Sequence, residues 1–261
     1  MSVAPCYISL DDVHVSYFVR HAGRLGASAV PNREAVLGAE MERRSGFVEI
    51  KSLRGVTLDV PDGARVGLVG VNGAGKSTLL KLCAGGLSAQ SGTIRIAGQV
   101  NPQFSLSSGM RPGLTGRQNA RLKCLYYDIP HEQVAEQIER IREMSGLEDY
   151  FDLPLRVYSA GMRSRLAMSV LGLLRGDIVI MDEWISAADA SINTLASQLQ
   201  SQLIDSARIL LMASHSEGVL RKWSDRLVWL HKGEIRAAGS HDEVLGEYRR
   251  FVESMDKSGK K

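Results

Sequence analysis

The spacing of apolar residues divides this chain into strands and helices before any motif is considered. From Tyr7 to Tyr17 they alternate (Ile8, Leu10, Val13, Val15), and Val56, Leu58 and Val60 alternate again ahead of the turn Pro61-Asp62-Gly63. Both runs predict strands. Ala64-Arg65-Val66-Gly67-Leu68-Val69 is more continuously apolar and predicts a buried strand. Between the first two runs, Phe18 to Gly46 carries Gly, Ala, Pro and several arginines, and a helix is predicted over Glu34 to Arg44 after the capable cap Asn32. The whole segment, 18–46, is read as an insertion between two strands of one sheet edge.

Further on, Val134, Ile138, Ile141 and Met144 recur at helical spacing between Pro130 and Ser145, with Gly146 as the stop, which predicts a surface helix with one buried stripe. A second helix is predicted from near Ala160 through Leu166, Val170 and Leu173 to Gly176. Asp177-Ile178-Val179-Ile180-Met181-Asp182-Glu183 is then a short apolar run ended by two carboxylates, the pattern of a central parallel strand that delivers acids at its C-terminal edge. The stretch from Asp205 to Ala213 repeats that shape. Strands interleaved with helices define an α/β chain, and no internal repeat is visible.

At 261 residues, one α/β domain can absorb nearly all of the length. An apolar share of 44% and a charged share of 23% are ordinary for a globular protein with a sizeable core. The net charge of +3 and the scatter of the basic residues argue against nucleic acid as a partner. The C-terminal Lys257-Ser258-Gly259-Lys260-Lys261 is read as a solvated tail. Cys6, Cys83 and Cys124 are too widely spaced for a disulfide framework or a zinc site, which fits a reducing cytosol. No basic-then-apolar leader and no stretch of about 18 apolar residues is present, so any membrane role is expected to come through a partner.

Candidate chemistry centres on Gly70-Val71-Asn72-Gly73-Ala74-Gly75-Lys76-Ser77-Thr78. Small residues at Gly73, Ala74 and Gly75 let successive N–H groups turn inward around an anion. Lys76 adds a point charge for the outer phosphates, Ser77 offers a hydroxyl to magnesium, and the helix that follows favours negative charge at its N-terminus. The preceding strand supplies the strand–loop–helix context that a nucleoside-triphosphate cradle requires. Asp182 and Glu183 fit the two carboxylate tasks of ATP hydrolysis, holding magnesium and orienting or deprotonating the attacking water.

With that cradle upstream, Tyr158-Ser159-Ala160-Gly161-Met162 resembles a variant of the signature of ATP-binding cassette (ABC) ATPases, and the resemblance covers nearly the whole chain. It implies a P-loop fold with a RecA-like mixed sheet core and an inserted helical subdomain at about 104–176, within an ATP-binding domain of 1–246 followed by a tail, 247–261, with no carbohydrate-binding domain. Asp189 stands where the family places its D-loop aspartate, His215 where it places its switch histidine, and Tyr17 matches the aromatic that stacks on adenine. Gln103 is the residue assigned to the loop that couples magnesium to a membrane subunit, although it does not fall at the usual distance from Leu114-Thr115-Gly116.

The resemblance also implies ATP and Mg2+ as ligands and a head-to-tail dimer. Ser159 and the Gly161 N–H of one copy would meet the γ-phosphate held by Lys76 of a second copy. Ala160 and Met162 depart from the commonest signature. Together with Leu114-Thr115-Gly116-Arg117-Gln118-Asn119, Asp182-Glu183-Trp184-Ile185-Ser186 and Met212-Ala213-Ser214-His215-Ser216, they look like the subgroup that exports O-antigen, capsule or teichoic acid. The expectation is therefore a peripheral motor on the cytoplasmic face of the inner membrane, paired with an integral membrane permease and in indirect contact with a lipid-linked glycan. Lipid headgroups or a substrate pyrophosphate would suit the arginines of 18–46. The alternatives are an exporter of another substrate or a soluble ABC ATPase acting on nucleic acid or ribosomes.

Overall fold

The computed structural model describes residues 4–20, 40–44, 47–104, 109–171, 176–182 and 201–258. They divide into two compact units: Met1–Pro102 with Asp177–Trp184 and Arg208–Lys261, and Gln103–Gly176 with Ile185–Ala207.

The first unit carries two sheets. β1 (Tyr7–Arg20), β2 (Glu40–Arg44) and β3 (Phe47–Val60) join β5 (Ser91–Ala97) in the antiparallel order β2-β3-β1-β5. In β1 the apolar positions Ile8 and Leu10 are out of phase with Val13 and Val15, yet all four are buried. The register shift between Leu10 and Val13 explains this: a bulge at Asp11-Asp12, with Asp12 at φ 46°, returns the later residues to the core face.

The strand nature of Glu40–Arg44 corrects the helix expected over Glu34 to Arg44; residues 34–39 lie outside the described residues. Glu, Met, Ala and Arg favour helix locally, but cross-strand pairing decides. Glu40 lies opposite Lys51 and Met41 opposite Ile50, while Lys51 pairs with Glu42 and Arg54 with Glu40. β1 also continues past Tyr17 to Arg20, with Phe18 and Phe47 in edge contact at 5.6 Å.

The second sheet has the order β10-β9-β4-β8-β7-β6, built from β4 (Arg65–Val69), β6 (Val100–Gln103), β7 (Ile178–Asp182), β8 (Ile209–Ala213), β9 (Arg226–His231) and β10 (Glu234–Gly239). β4 is parallel to both β8 and β9, and β7 is parallel to β8. Their apolar residues are almost all fully buried, as expected of strands covered on both faces. β8 begins at Ile209 rather than Asp205, because residues 201–206 are helical and form α5. α6 (Glu217–Trp223) and α7 (His241–Ser258) complete the unit. Residues 247–258 belong to α7, where Tyr248 and Phe251 pack on Trp229 and Arg249 pairs with Glu217; residues 259–261 of the C-terminal run lie outside the described residues.

In the second unit α2 (Gly116–Tyr126), α3 (His131–Ser145) and α4 (Ala160–Leu171) surround a core of Ile138, Ile141, Leu147, Phe151, Tyr158 and Leu166. Gly146 ends α3 at φ 56°, the left-handed turn predicted for it. Thr115 caps α2 in a reciprocal capping box with Gln118.

Asn119 holds the turn before α2 together. It is 1% exposed, accepts from Arg111 N at 2.7 Å and donates to the carbonyls of Arg111, Leu114 and Thr115 at 3.1, 3.2 and 2.9 Å. Asn119→Ala strands the Arg111 N–H and removes one of two donors from each of three carbonyls that keep a backbone partner, so a loss of about 1–3 kcal/mol is expected, the cost of roughly one stranded group. Urea unfolding of the two proteins side by side measures it, and a midpoint unchanged by the substitution would contradict the role.

Candidate functional site

β4 delivers the chain to the C-terminal edge of its sheet, where residues 70–75 turn and α1 (Lys76–Cys83) begins. Two of the glycines are required there. A Cβ on Gly70 would lie 2.3 Å from Leu230 O, and one on Gly75, at φ 108°, would lie 2.6 Å from Ser52 O. The close approach presses the loop against β3 and β9 and leaves no room for a larger side chain. Lys76 is 8% exposed and its Nζ donates to Gly70 O at 2.6 Å and Val71 O at 3.2 Å. Its ammonium therefore stands at the mouth of the loop it belongs to.

Strand register brings the acid and the histidine to the same edge. Leu68 of β4 lies opposite Ala213 of β8, and Ala213 lies opposite Asp182 of β7, so the three strands end in one row. The result is a cavity of about 160 Å³ lined by Ser52, residues 72–78, Asp182, Ala213, Ser214 and His215. That is smaller than the roughly 300–1,000 Å³ of a site that encloses a whole small-molecule ligand. It suits the phosphate chain of a nucleotide, with the base outside.

The residues fit ATP and magnesium. Inward-turned small residues and an ammonium suit the polyphosphate, and the Ser77 hydroxyl and Asp182 carboxylate are the oxygen donors that a hard cation takes. Among the described residues no group of three or more His, Cys, Asp or Glu is assembled, so such a cation would draw its remaining ligands from phosphate and water. Burial pushes the Cys83 thiol in α1 up to about 12, which removes it from thiolate chemistry.

Of the other residues singled out in the sequence, Tyr17 lies on β1 at the rim, 38% exposed, its hydroxyl 3.3 Å from Thr78 Oγ1. In the second unit, Ser159 caps α4 by accepting from Met162 N at 3.2 Å, which leaves Gly161 in the first turn of that helix. Tyr158 is buried and donates to Tyr150 O at 2.6 Å. Gln103 is buried, with its side chain hydrogen-bonded to Tyr127. Glu183 and Asp189 lie outside the described residues, as do Trp184, Ile185 and Ser186. Ser52 lines the cavity without belonging to any motif, and nothing in its sequence context signals it; Ser214, inside the run 212–216, lines it too, although the sequence assigned it no role.

A glycine-rich strand–loop–helix cradle, an acid at the end of a neighbouring parallel strand and a mixed sheet define a P-loop nucleotide-binding protein. Comparison with known proteins narrows the class. Residues 53–186 match the family model described as "ABC transporter". The chain belongs to that family.

Among curated relatives, it is 31% identical to the "Teichoic acids export ATP-binding protein TagH" of Lactococcus lactis, over 95% of this chain and 53% of the relative. It is 33% identical to the "O-antigen export system ATP-binding protein RfbB" of Klebsiella pneumoniae, over 77% of this chain and 82% of the relative. The chain spans about half the length of the Lactococcus protein and 45% of the matching Enterococcus faecalis protein of the same name. Solved structures share the fold. "Structure of ATP binding subunit of ABC transporter" superposes with a TM-score of 0.63 at 21% identity, over 92% of each chain. "Dimeric structure of a post-hydrolysis state of the ATP-binding cassette MJ0796 bound to ADP and Pi" superposes with a TM-score of 0.62 at 19% identity, over 90% of this chain and 98% of that one. The fold is accordingly that of an ABC cassette, a P-loop NTPase.

Proposed function

We propose that this chain is the ATP-hydrolysing subunit of an ABC exporter that drives a lipid-linked polysaccharide across the inner membrane. The observation that carries the reading is the cavity in which the phosphate loop, Asp182 and His215 share one sheet edge. The export-system names of the relatives support the substrate class. Lys76 and the loop amides bind the β- and γ-phosphates, and Asp182 with Ser77 holds Mg2+, which supplies charge neutralisation when bound. Glu183 orients the attacking water and His215 contacts the γ-phosphate side. Ser159 and Gly161 of a second copy close the site, so that binding draws two copies together and hydrolysis releases them. Asp189 takes its place at that junction, and Gln103 is assigned to the magnesium side. The mechanical stroke passes to a separate membrane permease, with the chain peripheral on the cytoplasmic face; among the described residues no helix is long and apolar enough to cross a membrane.

Removal of the protein from its cell tests the substrate class. Loss of the surface polymer with build-up of its lipid-linked form inside is the expected result, read by glycan staining of whole cells and of lipid extracts. An intact surface polymer together with a ribosome-assembly or DNA-repair defect would favour the soluble ABC alternative.

A further inference from the structure

Three hydroxyls run from the rim of the cavity to its interior. Tyr17 OH lies 3.3 Å from Thr78 Oγ1, and Thr78 Oγ1 lies 2.7 Å from Ser52 Oγ. Thr78 and Ser52 are each 7% exposed, whereas Tyr17 is 38% exposed, so the chain of hydroxyls leads from solvent inward. Ser52 also lines the cavity beside residues 72–78.

The backbone is built to put it there. Along β3 the partner of Ser16 is Lys51 and the partner of Val15 is Leu53, so Ser52 is the extra residue of a β-bulge. A bulge redirects one side chain out of the regular alternation. The bulge is also clamped in place. Its carbonyl stands 2.6 Å from where a Cβ on Gly75 would be and 2.7 Å from where one on Gly233 would be, while Gly233 N donates to Ala74 O at 3.0 Å. Ser52 is thus held between the phosphate loop and the turn after β9.

We propose that Ser52 is a phosphate-binding hydroxyl and that Tyr17 and Thr78 are positioning residues which polarise it. The inference rests on the nucleotide reading of the cavity. Each hydroxyl has one proton, so the chain can run in either of two directions. A phosphate oxygen in the cavity only accepts. It selects the direction in which Tyr17 donates to Thr78, Thr78 donates to Ser52 and Ser52 donates to the phosphate. The phenol then heads the chain, and each bond strengthens the next. Tyr17 contributes to phosphate affinity through its hydroxyl, separately from any contact its ring makes with a base.

Magnesium tripolyphosphate, which has no base, separates the two effects. With the intact chain, isothermal titration should show tripolyphosphate bound by the wild type. Tyr17→Phe, a change at a partly exposed position that keeps the ring, should weaken it about three- to tenfold, the value of about one hydrogen bond. Ser52→Ala should weaken it by a similar factor, and Tyr17→Phe added to Ser52→Ala should cost little more, because the chain is already cut. If Tyr17→Phe leaves tripolyphosphate binding unchanged while the wild type binds it, the relay is wrong and the cradle reading stands. If the wild type binds neither tripolyphosphate nor ATP, the cradle reading itself falls and takes the relay with it.

Discussion

Lys76→Ala is expected to abolish useful ATP binding, with affinity lower by about 100-fold or more. The side chain is almost entirely buried, and its ammonium already donates to two carbonyls of its own loop. It ties down the turn of residues 70–75 and, in the proposed reading, also presents a cation to the outer phosphates. Each charge-assisted hydrogen bond to phosphate is worth about 1.5–3 kcal/mol, and two of them exceed the roughly 2.7 kcal/mol of a hundredfold change. Titration with a fluorescent ATP analogue measures the loss, and circular dichroism of the same sample shows whether the fold persists. Lys76→Arg keeps the charge but replaces a compact ammonium with a planar fork in a cavity of about 160 Å³, so it should also bind poorly. An affinity for Lys76→Ala within threefold of the wild type would remove the loop from the phosphate role.

Glu183→Gln should separate binding from turnover. ATP affinity is expected to stay within a fewfold of the wild type while steady-state phosphate release falls by about 10²–10⁴, the usual contribution of a general base. The amide keeps the size of the side chain and loses its capacity to take a proton from water. If two copies close around ATP and open only on hydrolysis, the variant should accumulate as a dimer in ATP and return to monomer in ADP. Light scattering on a sizing column reads this directly. Turnover at the wild-type rate would take the base role away from Glu183 and pass it to another residue near Asp182, which lines the cavity as the last residue of β7.

Much of the fold was legible because the local patterns had one physical solution. The stripe Val134, Ile138, Ile141 and the stop Gly146 predict α3 to its end, and the apolar runs ending at Val69 and Asp182 predict buried strands, the second of them parallel. Glu40–Arg44 has helical propensity but lies against Lys51 and Ile50, and pairing with a strand already in place outweighs propensity of a few tenths of a kcal/mol per residue.

The candidate site divides in the same way. The loop before Lys76 is legible from local residues, because a run of small residues there dictates a tight inward turn wherever a strand leads into it. What that turn faces depends on the folded chain. Asp182 and His215 reach it through the register of three parallel strands, and Ser52 through a bulge whose carbonyl packs on Gly75. Strand register and bulges are set by contacts between segments distant in the chain, so no local spacing encodes them.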